Sequence, residues 1–258
     1  MFMKKWLACM VTGLCICSVA SASDMGYQRA DGFWRVDMGT PLFTFQPFSH
    51  ACFGFNILSN APGELADNTG FFRMPQFSFN VVEFAFQPYN TGGLTLGVEV
   101  EWNWYHLNKY NLFSPYNTSP LFPEQNGRKV DVVPMGALGI TQVNTSIFSV
   151  CTFSVPLTFN QRLFRNLNLK VGAALEFNLP GWVQFKGRKG TDNLHEMSTG
   201  TRFSNRIKTN LPTCNFHAAI GWREMGIFVK YRPMAVLADG FGPQFQTWTI
   251  GVMVGMGL

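Results

Sequence analysis

The chain has 258 residues, long enough for one large domain or two ordinary ones. Only 14% are Asp, Glu, Lys or Arg, while 15% are aromatic, led by 26 Phe, and the mean hydropathy is +0.05. A soluble domain carries roughly 25% charged residues, so this is neither a disordered chain nor an ordinary soluble surface. Yet no stretch beyond the N-terminus approaches the ~18 apolar residues of a membrane-spanning helix.

Residues 1–22 read as a secretory signal. Lys4 and Lys5 form the positive region, Trp6 to Ala20 the apolar region, and Ala20-Ser21-Ala22 a cleavage site. Removing it lowers the formal charge from +5 to +3, too little to argue for nucleic acid. Cys52, Cys151 and Cys214 remain in the exported chain. Three widely spaced cysteines predict neither a disulfide framework nor a zinc site. Residues 23–46 form a periplasmic N-terminal segment in which Trp34, Val36 and Met38 alternate with Arg35 and Asp37. The remainder, 47–258, carries one dominant pattern.

That pattern has period two, as a strand requires, because successive side chains point to opposite faces. Ala51, Phe53, Phe55 and Ile57 alternate with Cys52, Gly54 and Asn56. The segment 76–86 alternates too, with a slip of phase at Val81-Val82 that predicts a β-bulge. From Leu94 to Trp104 every even residue is apolar, and every odd one is polar or Gly. The same alternation follows around 153–160, 167–178, 214–222, 227–231 and 247–258, which makes eight strands.

Three features turn the apolar face outward. The strands are long enough to cross a bilayer at a tilt. The other face mixes Gly, Ser, Thr, Asn, Glu and Lys, which suits a small lumen. The connections 87–93, 161–166 and 223–226 are short, whereas 108–145 and 179–212 are long, the rhythm of periplasmic turns and outer loops. The predicted fold is therefore an all-β, transmembrane, antiparallel up-and-down barrel of eight strands, ten being the alternative count. Both ends lie on the periplasmic side. Trp102, Trp104 and Trp248 are expected at the outer interface and Trp222 at the inner one.

The stretches SHACFGFNIL (49–58), FSFNVVEFAFQP (77–88), GLTLGVEVEWNWYHL (93–107), FSVPLTFN (153–160), LKVGAALEF (169–177), GIFVKYRPMAVL (226–237) and GPQFQTWTIGVMVGMGL (242–258) resemble the strands of a family. It is the bacterial outer-membrane β-barrel domain family that includes PorT-like proteins. The resemblance spans roughly 49–258. Its motifs are diffuse, so it implies fold and cell outer-membrane location more than activity.

For chemistry, the strand parity directs Glu99, Glu101, Lys170, Glu176, His217, Lys230 and Arg232 into the lumen. An eight-stranded barrel has room inside for little beyond its own side chains, and buried charges must be paired. A closed polar network is expected. Lys186, Arg188, Lys189, Arg202, Arg206 and Lys208 make the third outer loop basic, suited to phosphorylated headgroups of outer-membrane lipid and lipopolysaccharide. No catalytic, nucleotide-binding or metal-ligand motif is present, so no enzyme, cofactor or metal is expected. The functional expectation is a monomeric structural or interaction barrel acting through 108–145 and 179–212, with a periplasmic or surface protein partner. The alternatives are a narrow channel or secretion accessory of the PorT-like kind, and a lipid-A-modifying enzyme.

Overall fold

The computed structural model describes residues 43–62, 65, 74–89, 92–107, 111–114, 129–134, 140–164, 167–189, 198–222 and 225–255. The expected signal peptide and most of the expected N-terminal segment lie outside them. The strands, in chain order, are β1 (Phe43–Pro47), β2 (His50–Ser59), β3 (Pro75–Tyr89), β4 (Gly92–His106), β5 (Asn111–Ser114), β6 (Asp131–Pro134) and β7 (Ile140–Phe164). They continue with β8 (Leu167–Asn178), β9 (Gly181–Lys189), β10 (Ser198–Ile207), β11 (Thr213–Trp222), β12 (Met225–Arg232) and β13 (Gln246–Gly255).

Eight of them close into a ring. From β2 the pairing runs through β13, β12, β11, β8 and β7, and β4 joins β7 to β3, which returns to β2. Every pair is antiparallel. These are the eight segments marked by alternation. Closure leaves no free edge in the ring, so each strand's backbone groups are answered by its neighbours, as a nonpolar medium demands.

Two irregularities shape the wall. In the β3–β4 ladder Asn80 faces Glu99 and Val82 faces Val98, leaving Val81 as the extra residue of a bulge, where the phase of the sequence slips. In the first strand, β1 and β2 both lie on β3. Phe48 between them adopts a left-handed φ of 50°, which lets the chain kink and resume. Pairing thus begins at Phe43, inside the segment expected to precede the barrel.

The two long connections are not plain loops. β9 and β10 extend the walls of β8 and β11 beyond the barrel, with β9 on the upper half of β7 and β10 on β9. The connection 108–145 contributes the β5–β6 hairpin and the start of β7. Segment 179–212, expected as a loop, is therefore largely a strand pair. Thr, Val, Phe and Ile at intervals along it favour extended backbone.

The two faces of the wall divide as the alternation predicts. Leu94, Leu96, Phe153, Val155, Leu157, Phe159, Val171, Leu175, Ile227, Ile250 and Val252 are exposed on the outside. Ser78, Asn80, Glu101, Thr152, Ser154, Glu176, Asn215 and Thr249 are fully buried inside. A soluble barrel does the opposite, so this exterior is a surface for lipid. Leu157 lies near the middle of the stretch of β7 that pairs with β8, opposite Leu96 and Ala173, and is 55% exposed. Leu157→Arg should cost about 2–4 kcal/mol of stability in lipid vesicles, read as a lower urea midpoint of the folded band. An unchanged midpoint would argue against a lipid-facing position.

Glycine matters where Phe228 folds over the wall. Phe228, Gly251 and Gly54 are directly opposite one another on β12, β13 and β2. A Cβ on Gly251 would overlap the Phe53 carbonyl oxygen and lie 2.5 Å from Gly54 Cα and 2.7 Å from the Phe228 ring. Two of these obstacles are backbone and cannot rotate away. Gly251→Val should therefore prevent the heat-resistant folded form from appearing on refolding into vesicles.

Candidate functional site: the barrel lumen

The lumen is built in levels, because directly opposed residues on neighbouring strands point the same way. Asn80, Glu99, Ser154, Glu176 and Thr213 share one level across five consecutive strands. Ser78, Glu101, Thr152 and Asn178 share the next. In the ring β12 stands diametrically opposite β4, so Lys230 and Arg232 reach across the full width to the carboxylates of β4.

Arg232 is the centre of the network. Its Nε and Nη2 donate to Glu176 at 2.6 and 2.7 Å, Nη2 also donates to Glu101 at 2.8 Å, and Nη1 donates to Thr247 at 3.2 Å. Lys230 donates to Glu101 and stands 3.5 Å from Glu99. Thr213 and Asn215 donate to Glu176 at 3.0 and 2.7 Å, and Asn103 donates to Glu101. Three carboxylates, two cations and several neutral donors thus answer one another, and the charged groups are all buried. Such a set repays its desolvation only when every member is answered.

A second cluster lies toward the short turns. Lys170 donates to Glu83 at 3.4 Å, His50 Nδ1 is 3.5 Å from the same carboxylate, and Ser49 donates to it. His217 contacts Thr158 Oγ1 through Nε2 at 3.0 Å and Asn215 Oδ1 through Nδ1 at 3.2 Å. Between the clusters remains a cavity of about 30 Å³ lined by His50, Asn80, Glu83, Glu99, Lys170 and Lys230, among others.

All seven residues expected in the lumen point inward, and the structure brings them into these two clusters. Glu83 and His50 were not among the residues expected there. Glu83 follows the bulge at Val81, and only the shift of register tells which face it joins. His50 opens β2 immediately after the kink at Phe48, where alternation has not yet begun.

The outer third of the interior is apolar. Tyr105, Phe148, Val150, Val183 and Ile207 from the walls pack with Leu65, Met74, Val130, Val236, Leu237 and Phe245 from the outer connections. Tyr105 stacks on Phe148 at 5.7 Å and meets Phe245 edge-on at 5.3 Å. This cluster covers the charged network like a stopper. At the other end Cys52, Ala219, Phe228 and Met253 form a smaller apolar group. The cysteines Cys52, Cys151 and Cys214 are free thiols.

The four expected rim tryptophans all lie on the outer surface. Trp102 stacks against Phe77 and Phe79, and Trp248 stacks on Tyr231 with centroids 4.3 Å apart. Trp104 is half-buried near the long-connection end of β4. Trp222 is exposed at the short-turn end of β11. Of the basic set, Lys186, Arg188 and Lys189 fall on β9 and Arg202 on β10, with side chains outside the described residues. Arg206 and Lys208 are exposed, and Lys208 Nζ lies 4.6 Å over the Phe241 ring. Among the described residues no group of three or more His, Cys, Asp or Glu is placed to hold a metal.

A closed antiparallel ring with an apolar outside and a paired, side-chain-filled inside is a transmembrane β-barrel. No family model matches the chain, and no curated protein matches it. Among solved structures it is similar to a de novo designed transmembrane β-barrel, at 12% identity and a TM-score of 0.33, covering 82% of this chain and 98% of that one. It is also similar to Ail, the attachment invasion locus protein of Yersinia pestis, in complex with the heparin analogue sucrose octasulfate. There the identity is 10% and the TM-score 0.31, covering 83% of this chain and 97% of that one.

Proposed function

We propose that the chain is an exported, monomeric, integral protein of the bacterial outer membrane with a closed lumen and an interaction role carried by its outer segments, 108–145 and 179–212. It is not an enzyme in this reading. The observation that carries it is the double seal. Arg232 and Lys230 bridge the lumen to Glu101 and Glu176, and an apolar stopper contributed by the outer connections lies above them. A barrel built for passage keeps a continuous aqueous path, and this one spends its interior on pairing and packing. The outer strand pair and the residue that follows it carry the basic residues, including exposed Arg206 and Lys208, so the nearest ligands are the phosphates of outer-membrane lipid. A protein partner of the kind implied by the PorT-like resemblance would meet the same surface.

Purified barrel in planar bilayers tests closure directly. The expected record is flat at moderate voltage, and stable unitary current steps would overturn it. In vesicles containing phosphorylated lipid A, the folded band should survive to higher temperature than in vesicles of dephosphorylated lipid A. Arg206→Glu with Lys208→Glu should remove part of that gain.

A further inference from the structure

The unpartnered polar atoms of the lumen are confined to one wall. Both amide atoms of Gln76 and the Oδ1 of Asn80 on β3 and the Ser154 hydroxyl on β7 have no hydrogen-bond partner among the described residues. Each of these residues is at most 1% exposed. Asn80 and Ser154 flank Glu99 at one level, and Gln76 faces Asn103, one inward position from Tyr105. Around the rest of the ring, by contrast, Asn178, Thr213, Asn215 and Thr249 all have side-chain partners. Buried donors and acceptors are paired in native proteins by protein or by ordered water, and a water site needs room and two or more polar partners. Asn80 and Glu99 line the cavity, which lies in the short-turn half of the lumen beside His50, Glu83 and Thr95.

We propose that bound water occupies the β3–β4–β7 wall, entering from the short-turn end and stopping under the apolar stopper. The lumen is then a one-ended well, wet along one wall and dry along the other. Water fits this set where an ion does not. Gln76 presents a donor and an acceptor together, Asn80 an acceptor, and the Ser154 hydroxyl either, whereas a metal cation needs acceptors alone and an anion donors alone. Lys230, 3.5 Å from Glu99, already supplies the positive charge that a cation would bring. The consequence is directional access: small hydrophilic solutes reach Glu99 and Lys230 from the short-turn side and from no other.

This inference rests on the closed lumen, but its test is separate from conductance. In the intact, isotopically labelled barrel in micelles, magnetisation transfer from water should reach the side-chain amides of Gln76 and Asn80 several-fold more strongly than those of Asn178 and Asn215. Absence of transfer at Gln76 and Asn80, or equal transfer at all four, would overturn the one-sided wet wall. Direction is read separately with Asn80→Cys in a background in which Cys52, Cys151 and Cys214 are replaced by Ser, using a small cationic thiol reagent. Modification should be roughly tenfold or more faster when the reagent has access to the short-turn end than when it has access to the outer end alone. Equal rates from both ends, faster reaction from the outside, or no reaction at all would overturn the one-ended well.

Discussion

Replacing Arg232 with Met is expected to lower the stability of the barrel by about 3–5 kcal/mol, the cost of removing one partner from a buried charge set. Arg232 is 2% exposed and holds Glu176 through two nitrogens and Glu101 through one. Without it Glu176 retains, among the described residues, the neutral donors Thr213 and Asn215, and Glu101 retains Lys230 and Asn103. The uncompensated charge sits in a lumen walled from the outer solvent. A protein of ordinary stability has about 5–15 kcal/mol in total, so the loss is large. It should appear as a lower temperature for loss of the compact band on gels and a lower urea midpoint in vesicles. The second variant decides the cause. Adding Glu176→Gln to Arg232→Met removes the stranded charge and should recover part of the loss, giving a clear coupling between the two sites. Additive losses would mean that Arg232 acts through packing and not through charge.

Phe245→Ala is expected to cost about 3–5 kcal/mol, the usual range for emptying a buried aromatic site, and to act on a different region. Phe245 is 2% exposed and meets Tyr105 edge-on in the apolar stopper. It precedes β13 at the end of the connection 233–245, so it anchors that connection to the barrel rim. Its loss should expose this connection to protease while the lower barrel keeps its heat-resistant form, since the charged network makes no use of Phe245. Phe153→Ala is the comparison: Phe153 is 42% exposed on the outer wall. Lipid fills the space it leaves, so no cavity forms and the cost should be much smaller. Equal costs for the two would contradict the assignment of inside and outside.

The sequence alone determines the eight strands of the ring and which side of each faces lipid, but not the strands β5, β6, β9 and β10 of the long connections. Alternation is a local property, written residue by residue, and it survives because the side-chain period of a strand is two. Parity therefore directs Glu99, Glu101, Lys170, Glu176, His217, Lys230 and Arg232 inward before any pairing is known. The slip at Val81-Val82 is visible in the same way. Its consequence for Glu83 is not, because a bulge reverses parity beyond the extra residue and only the register with β4 fixes where the reversal falls.

Tertiary structure decided who pairs with whom. That Arg232 bridges Glu101 and Glu176 follows from β12 lying across the ring from β4, a fact of closure and stagger that no single strand carries. It also decided the stopper. Leu65, Met74, Val130, Val236 and Leu237 stand in irregular connections among polar residues, Pro and Gly, with no period to mark them as core. They become a core only when separate connections converge on one rim, and burial of that kind is a property of the assembled barrel.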